Sequence, residues 1–77
     1  MLKSAINDSV LKIEAAQNII VIKTHPGIAN AVAVGIDSLD VHGLVGSVAG
    51  DDTILMVVRD LQTAQSLKNE LKSSFGI

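Results

Sequence analysis

The 77-residue sequence predicts an α+β fold: a two-layer sandwich with a four-stranded sheet and two helices on one face, in the order β-β-α-β-β-α. Three observations predict it. Four short runs are dense in Val, Ile and Leu, as strands are. Two longer segments carry apolar residues at helical spacing. Gly, Pro, Asn and Asp fall between these segments, where turns need them.

The first strand is expected over residues 9–16, where Val10, Leu11 and Ile13 alternate loosely with Lys12 and Glu14. Gln17-Asn18 interrupts the pattern. Residues 19–22, Ile-Ile-Val-Ile, are a β-branched run suited to a central strand. The short polar pair between the two runs makes them a hairpin. Thr24-His25-Pro26-Gly27 ends the second strand, because Pro lacks the ladder donor and Gly permits unusual φ.

A helix is expected over 28–39, favoured by Ala29, Ala31 and Ala33. Ile28, Ala31, Val32, Gly35, Ile36 and Leu39 form one face, while Ala29, Ala33 and Val34 make much of the remainder apolar. Asp37 is the only charged residue between Ile28 and Ser38. A helix apolar nearly all round is buried nearly all round. One side is expected to cover the sheet and the other to meet a second subunit. Gly35 costs about 1 kcal/mol relative to Ala inside a helix, which close approach of another backbone would offset. Residues 39–43 then connect to a strand over 44–49, Gly50-Asp51-Asp52 turns the chain, and a strong strand follows over 53–59. Asp60 suits an N-cap. Leu61, Ala64, Leu67, Leu71 and Phe75 recur at helical spacing with Gln62, Gln65, Lys68, Asn69 and Lys72 outside, and Gly76 stops this amphipathic helix.

Composition bears on assembly. The length suits one domain, residues 1–77. A chain this short buries only about 60% of its unfolded surface, so its stability is marginal without disulfides, a metal or a partner. There is no cysteine, and two histidines alone make a poor structural zinc set. Oligomerisation is the remaining aid. Hydrophobic residues make up 48% of the chain and aromatics 1%, so Val, Ile, Leu and Ala must form the core. Mean hydropathy is +0.46, high for a small domain, and the strand runs at 19–22 and 54–58 are apolar on both sides. The second face of the sheet should therefore be covered by other subunits. The net charge is −2 with no run of Lys or Arg, which equips the chain poorly for phosphate contacts; any DNA binding would lie elsewhere. No stretch approaches membrane-spanning length and no signal peptide is visible, so a cytoplasmic protein without membrane partners is expected.

The adjacent carboxylates Asp51 and Asp52 are the most informative polar feature. Gly-Asp-Asp is ordinary turn chemistry. It is also a pair of like charges that a bound cation would relieve, and a guanidinium suits carboxylates through its planar fork of donors. A Mg²⁺ or Ca²⁺ site would need further oxygen ligands that the sequence does not identify, so no metal is assigned. His25 and His42 are either solvated loop residues or a general acid/base pair brought together by folding. Neither has triad spacing to a Ser or Asp, and the Gly-containing loops match no phosphate-binding pattern. Asn30, at the start of an otherwise apolar helix, is a local cap or a ligand hydrogen-bond donor at the helix mouth.

Residues 21–30 (VIKTHPGIAN) and 44–55 (LVGSVAGDDTIL), with the Ile36-Asp37-Ser38-Leu39 step between them, resemble the C-terminal domain of bacterial arginine repressors. Gly50-Asp51-Asp52-Thr53-Ile54 is the most specific run, and the resemblance covers roughly Val10 to Phe75. It implies a pterin-dehydratase-like fold that assembles into trimers, two of which stack into a hexamer. It implies L-arginine bound between trimers as a corepressor ligand, with no other cofactor and no enzymatic activity. Operator DNA would be met through a separate N-terminal winged helix-turn-helix, controlling arginine metabolism genes. By position, Asp51 and Asp52 match the family's arginine-binding aspartates. Asn30 matches a polar position, often Gln or His, that faces the ligand. Ala49 and Gly50 would border the pocket through backbone groups. Ser47-Val48 replaces the commoner Thr-Ile, and His25 falls at a variable position with no assigned role. A dehydratase-like enzyme using His25 and His42, or a purely structural oligomerisation module, are the alternative readings.

Overall fold

The computed structural model describes residues 8–38 and 42–77 of the chain. Two hairpins supply the strands: β1 (Val10–Ala16) with β2 (Ile19–Thr24), and β3 (Leu44–Ala49) with β4 (Thr53–Val58). They join through β2 and β4 into one sheet, antiparallel throughout, in the order β1-β2-β4-β3. Helices α1 (Ala29–Asp37) and α2 (Leu61–Phe75) complete the β-β-α-β-β-α order. This is the expected α+β two-layer fold.

Register decides which side chains share a face. Ile22 lies opposite Ile54, and Ile20 opposite Met56. Side chains alternate along a strand, so Ile20, Ile22, Thr24, Ile54, Met56 and Val58 all point one way. Each is 2% exposed or less. They form one core with Ala29, Val32 and Ile36 of α1 and Ala64, Leu67, Leu71 and Phe75 of α2. Helix α2 lies mainly over β1 and β2, and α1 mainly over β3 and β4. Thr24 is buried among these apolar groups, and its hydroxyl donates to the His25 carbonyl at 2.8 Å.

The other face carries Ile19, Val21 and Lys23 of β2, Leu55 and Val57 of β4, and Val48 of β3, with Glu14 and Lys12 at the β1 edge. Val48 is 67% exposed, Leu55 38% and Val57 36%. No helix of the described residues covers this face, and none is long and apolar enough to cross a membrane.

Several element ends differ from expectation. β1 starts at Val10, because the Val10 to Thr24 pairing is the last of its ladder. β2 runs on to Thr24, since Lys23 still pairs with Thr53 and the break comes only at Pro26. β4 ends at Val58 rather than Arg59. Helix α1 spans Ala29–Asp37, with Ile28 at the N-cap and Ser38 at the C-cap; Leu39 lies outside the described residues. Its buried face is Ala29, Val32, Gly35 and Ile36, whereas Ala31 is exposed and Val34 is 69% exposed. The expected face was thus rotated towards Ala31, because tertiary anchoring of the first turn, described below, sets the helix's rotation.

Helix α2 follows its sequence signals. The Asp60 side chain accepts from the Thr63 amide at 2.7 Å, and Gly76 closes the helix at φ 73°. The Ile77 amide donates to the Lys72 carbonyl and the Gly76 amide to the Ser73 carbonyl, the paired bonds of a left-handed glycine terminus.

Candidate functional site

The Gly50-Asp51-Asp52-Thr53 turn is the tip of the β3–β4 hairpin. The Gly50 amide donates to the Thr53 carbonyl at 2.8 Å and closes it. The backbone of the turn is then clamped by the segment that leaves β2. The Thr24 amide donates to the Asp52 carbonyl at 2.8 Å, and the amides of Gly27 and Ala29 donate to the Asp51 carbonyl at 3.0 and 3.3 Å. The last of these explains how α1 starts. No side chain caps it, and its first amide finds its acceptor in Asp51 instead. Gly27 takes a φ of 86°, which only a residue without Cβ adopts freely. The Pro26-Gly27 bend therefore aims α1 at the turn.

The two carboxylates of the turn are in different situations. Each Asp52 oxygen accepts one hydrogen bond: Lys23 Nζ donates to Oδ2 at 3.2 Å and Thr53 Oγ1 donates to Oδ1 at 2.9 Å. Lys23 Nζ also donates to Thr53 Oγ1 at 2.9 Å. The Thr53 hydroxyl bond, then the hydrogen bond and charge of Lys23, hold the Asp52 carboxyl below its ordinary pKa. The Asp51 carboxylate is exposed and has no hydrogen bond or ion pair among the described residues.

The other residues singled out in the sequence are distributed as follows. Asn30 is exposed in the first turn of α1, close to Asp51 through the neighbouring Ala29 amide. It makes no cap bond, so the local capping role does not apply. Ala49 is half-buried against the core. Gly50 is exposed, but its amide is committed to Thr53, which leaves only its carbonyl to face a ligand. His25 sits beside the turn at the Thr53 end of β4, its amide bonded to the Ser9 carbonyl. His42 precedes Leu44, which pairs with Val58 at the other end of β4, and it lines a groove with Leu61, Ser66 and Glu70 of α2. About five strand steps at about 3.3 Å each separate the two ends. The two histidines therefore share no site, and the paired acid/base reading of them fails. Among the described residues, no three His, Asp or Glu side chains are grouped to hold a metal ion.

One residue in contact with the candidate site was given no role in the sequence reading. Lys23 lies within the 21–30 run but was assigned no contact; strand alternation puts it on the open face and register puts it opposite Thr53. The β2 to β4 pairing was the information needed.

Comparison with known proteins bears directly on this geometry. The family model described as "Arginine repressor, C-terminal domain" matches residues 6–73, which include both strands of the turn and the α1 bend. The chain belongs to this family. Proteins named arginine repressor that resemble it include one from Alkaliphilus metalliredigens, 48% identical over 65 residues, covering 84% of this chain and 44% of that protein. Another, from Bacillus subtilis, is 41% identical over 70 residues, covering 91% and 47%. A third, from Thermotoga petrophila, is 44% identical over 72 residues, covering 94% and 47%. The chain spans about half the length of these relatives, and the half it matches is the arginine repressor C-terminal domain.

Proposed function

We propose that residues 1–77 form one regulatory domain of an arginine repressor, which binds L-arginine at the Gly50–Thr53 turn as a corepressor and acts without catalysis. The observation that carries this reading is the exposed, unpaired Asp51 carboxylate beside Asp52, on a turn clamped to α1, in a chain of this family. A planar guanidinium supplies paired donors that match carboxylate oxygens. Asn30, Ala49 and Gly50 surround the same turn and would border the ligand.

The site works in an assembly. The open face of the sheet, with Val21, Val48, Leu55 and Val57, is the trimer-forming surface in this reading, and two trimers stack as a hexamer with the turns at their junction. Carboxylates from facing chains repel across that junction, and arginine brings the compensating charge. A ligand held between trimers favours the hexamer over separated trimers by mass action. At 100 times its Kd, each occupied site adds about 2.7 kcal/mol to the bound state. Operator DNA is contacted by a separate N-terminal domain of the whole repressor, in the cytoplasm.

Calorimetry on the assembled protein tests this. Arginine should bind, and citrulline, which has the same shape without the charge, should bind at least about tenfold more weakly, a difference on the order of one charge-assisted contact. Asp51→Asn should weaken arginine binding while the trimer mass by light scattering stays unchanged. Absence of arginine heat from a hexameric sample would overturn the reading.

A further inference from the structure

We propose that Lys23 is the resident counter-ion of the binding turn: its ammonium competes with a cationic ligand for Asp52 and so sets the ligand concentration at which the turn is occupied. The proposal rests on the arginine reading above and concerns the regulation of the same site.

Lys23, Thr53 and Asp52 close a ring of three hydrogen bonds. Lys23 Nζ reaches Asp52 Oδ2 at 3.2 Å and Thr53 Oγ1 at 2.9 Å, while the Thr53 hydroxyl donates to Asp52 Oδ1 at 2.9 Å. A hydroxyl has one donor and two acceptor positions, so Thr53 fills both of these roles at once. The ring is delivered by the backbone, since Lys23 and Thr53 are direct partners across β2 and β4. Both Asp52 oxygens are engaged within it. A bidentate guanidinium needs both of them. Each oxygen keeps a second lone pair, so the ring does not bar a guanidinium outright; the Lys23 ammonium instead competes with it for the same carboxylate charge.

The ring is built to open. The Lys23 and Asp52 side chains are 43% and 45% exposed, so water and salt weaken their attraction. A fully buried pair would resist displacement; a half-exposed one only shifts the balance. Lys23 also sets the charge of the turn. With its ammonium in place, Asp51, Asp52 and Lys23 sum to one negative charge, and without it the turn carries two. Lys12, opposite Lys23 on β1, is paired with Glu14 at 3.3 Å.

Arginine titrations of the assembled chain test this with two variants. Lys23→Met keeps the apolar stem and removes the charge, and should bind arginine about two- to fivefold more tightly than the wild type, the range expected of an exposed ion pair. Lys23→Arg keeps the charge and adds a bidentate fork, so it should hold Asp52 more firmly and bind arginine more weakly than the wild type. Equal or weaker binding by Lys23→Met, with assembly mass unchanged, overturns the proposal and leaves the arginine reading standing. A wild-type hexamer that takes up no arginine overturns both. A measurement on the wild type alone guards against a variant that misfolds: the NMR signals of the Lys23 terminal methylene should move towards those of a free lysine at saturating arginine. Unmoved signals at saturation also overturn the proposal.

Discussion

Val21 and Ile22 are neighbours on one strand and nearly equal in hydrophobicity, yet their surroundings are opposite. Ile22 faces Ile54 beneath two helices and has no exposure, while Val21 faces Leu55 on a side that no helix of the described residues covers. The same division runs across the central strands. Ile20, Ile54, Met56 and Val58 are sealed at 1% exposure or less, whereas Val48, Leu55 and Val57 remain between 36% and 67% exposed. Among the described residues, the chain thus carries apolar side chains on both faces of the sheet and helices over one. The lesson is that hydrophobicity alone does not say what a residue packs against. The closed face is where the fold is stabilised, and the open face leaves apolar side chains in water, as the proposed assembly requires.

The comparison can be broken first on its closed side. Ile22→Ala removes three carbons from a fully buried side chain and should cost about 2–5 kcal/mol, a large part of the stability of so short a chain. Urea denaturation would show this as a lower midpoint with an unchanged slope. Loss within about 0.5 kcal/mol, the size expected of a surface position, would contradict the packing described for β2.

The open side predicts a different kind of damage. Leu55→Glu places a charge in the middle of the uncovered patch, where the monomer already exposes the side chain to water. Monomer stability should change by no more than about 0.5 kcal/mol, and far-UV circular dichroism should be retained. Self-association should be lost, because an unpaired carboxylate would have to be desolvated at the contact. Light scattering distinguishes the outcomes: an assembly mass equal to that of the wild type would remove the open face from the interface.

How much of this was legible in the sequence follows physical lines. Strands and α2 were, because their signals are local: β-branched runs, an Asp60 cap three residues from its amide partner, a left-handed Gly76. The turn was legible as a turn, and the resemblance to the family is what proposes it as a site. Helix α1 was legible in part. Its start was read to within one residue, and Val32, Gly35 and Ile36 of its buried face were read from spacing, but the burial of Ala29 in place of Ala31 was not, because its first amide is satisfied by Asp51, 22 residues further on. The contact of Lys23 with the turn was silent for the same reason. Its partner Asp52 is 29 residues away, and only the register of β2 on β4 brings the two together. The apolar surplus was visible as a high mean hydropathy, but which residues made it up depended on where the helices lay.

The smallest effect expected separates the two faces by their acids. Asp60 serves the closed layer by capping α2, and Asp52 serves the open layer through Lys23 and Thr53. Both carboxyls are held below their ordinary pKa, Asp60 chiefly by the Thr63 amide and Asp52 chiefly by the Thr53 hydroxyl with Lys23 beside it. A carboxyl with a depressed folded pKa contributes stability that is complete above its unfolded value and is lost as pH falls through the folded one. Both contributions should therefore be full above about pH 4 to 5 and fade below that range. Asp60→Asn and Asp52→Asn should each flatten the acid limb of stability measured in urea. Salt should tell them apart. The Lys23 contribution is a pairing of half-exposed charges, and about 1 M salt shortens the screening length to about 3 Å. The gap between the wild type and Asp52→Asn should shrink by the Lys23 part under those conditions, while the part from the Thr53 hydroxyl remains. The Asp60 bond runs to a neutral amide at 2.7 Å and should survive them. If instead the Asp52 contribution persists in full at high salt, the ring at the turn is held by the Thr53 hydroxyl alone, and the ammonium of Lys23 adds nothing to it.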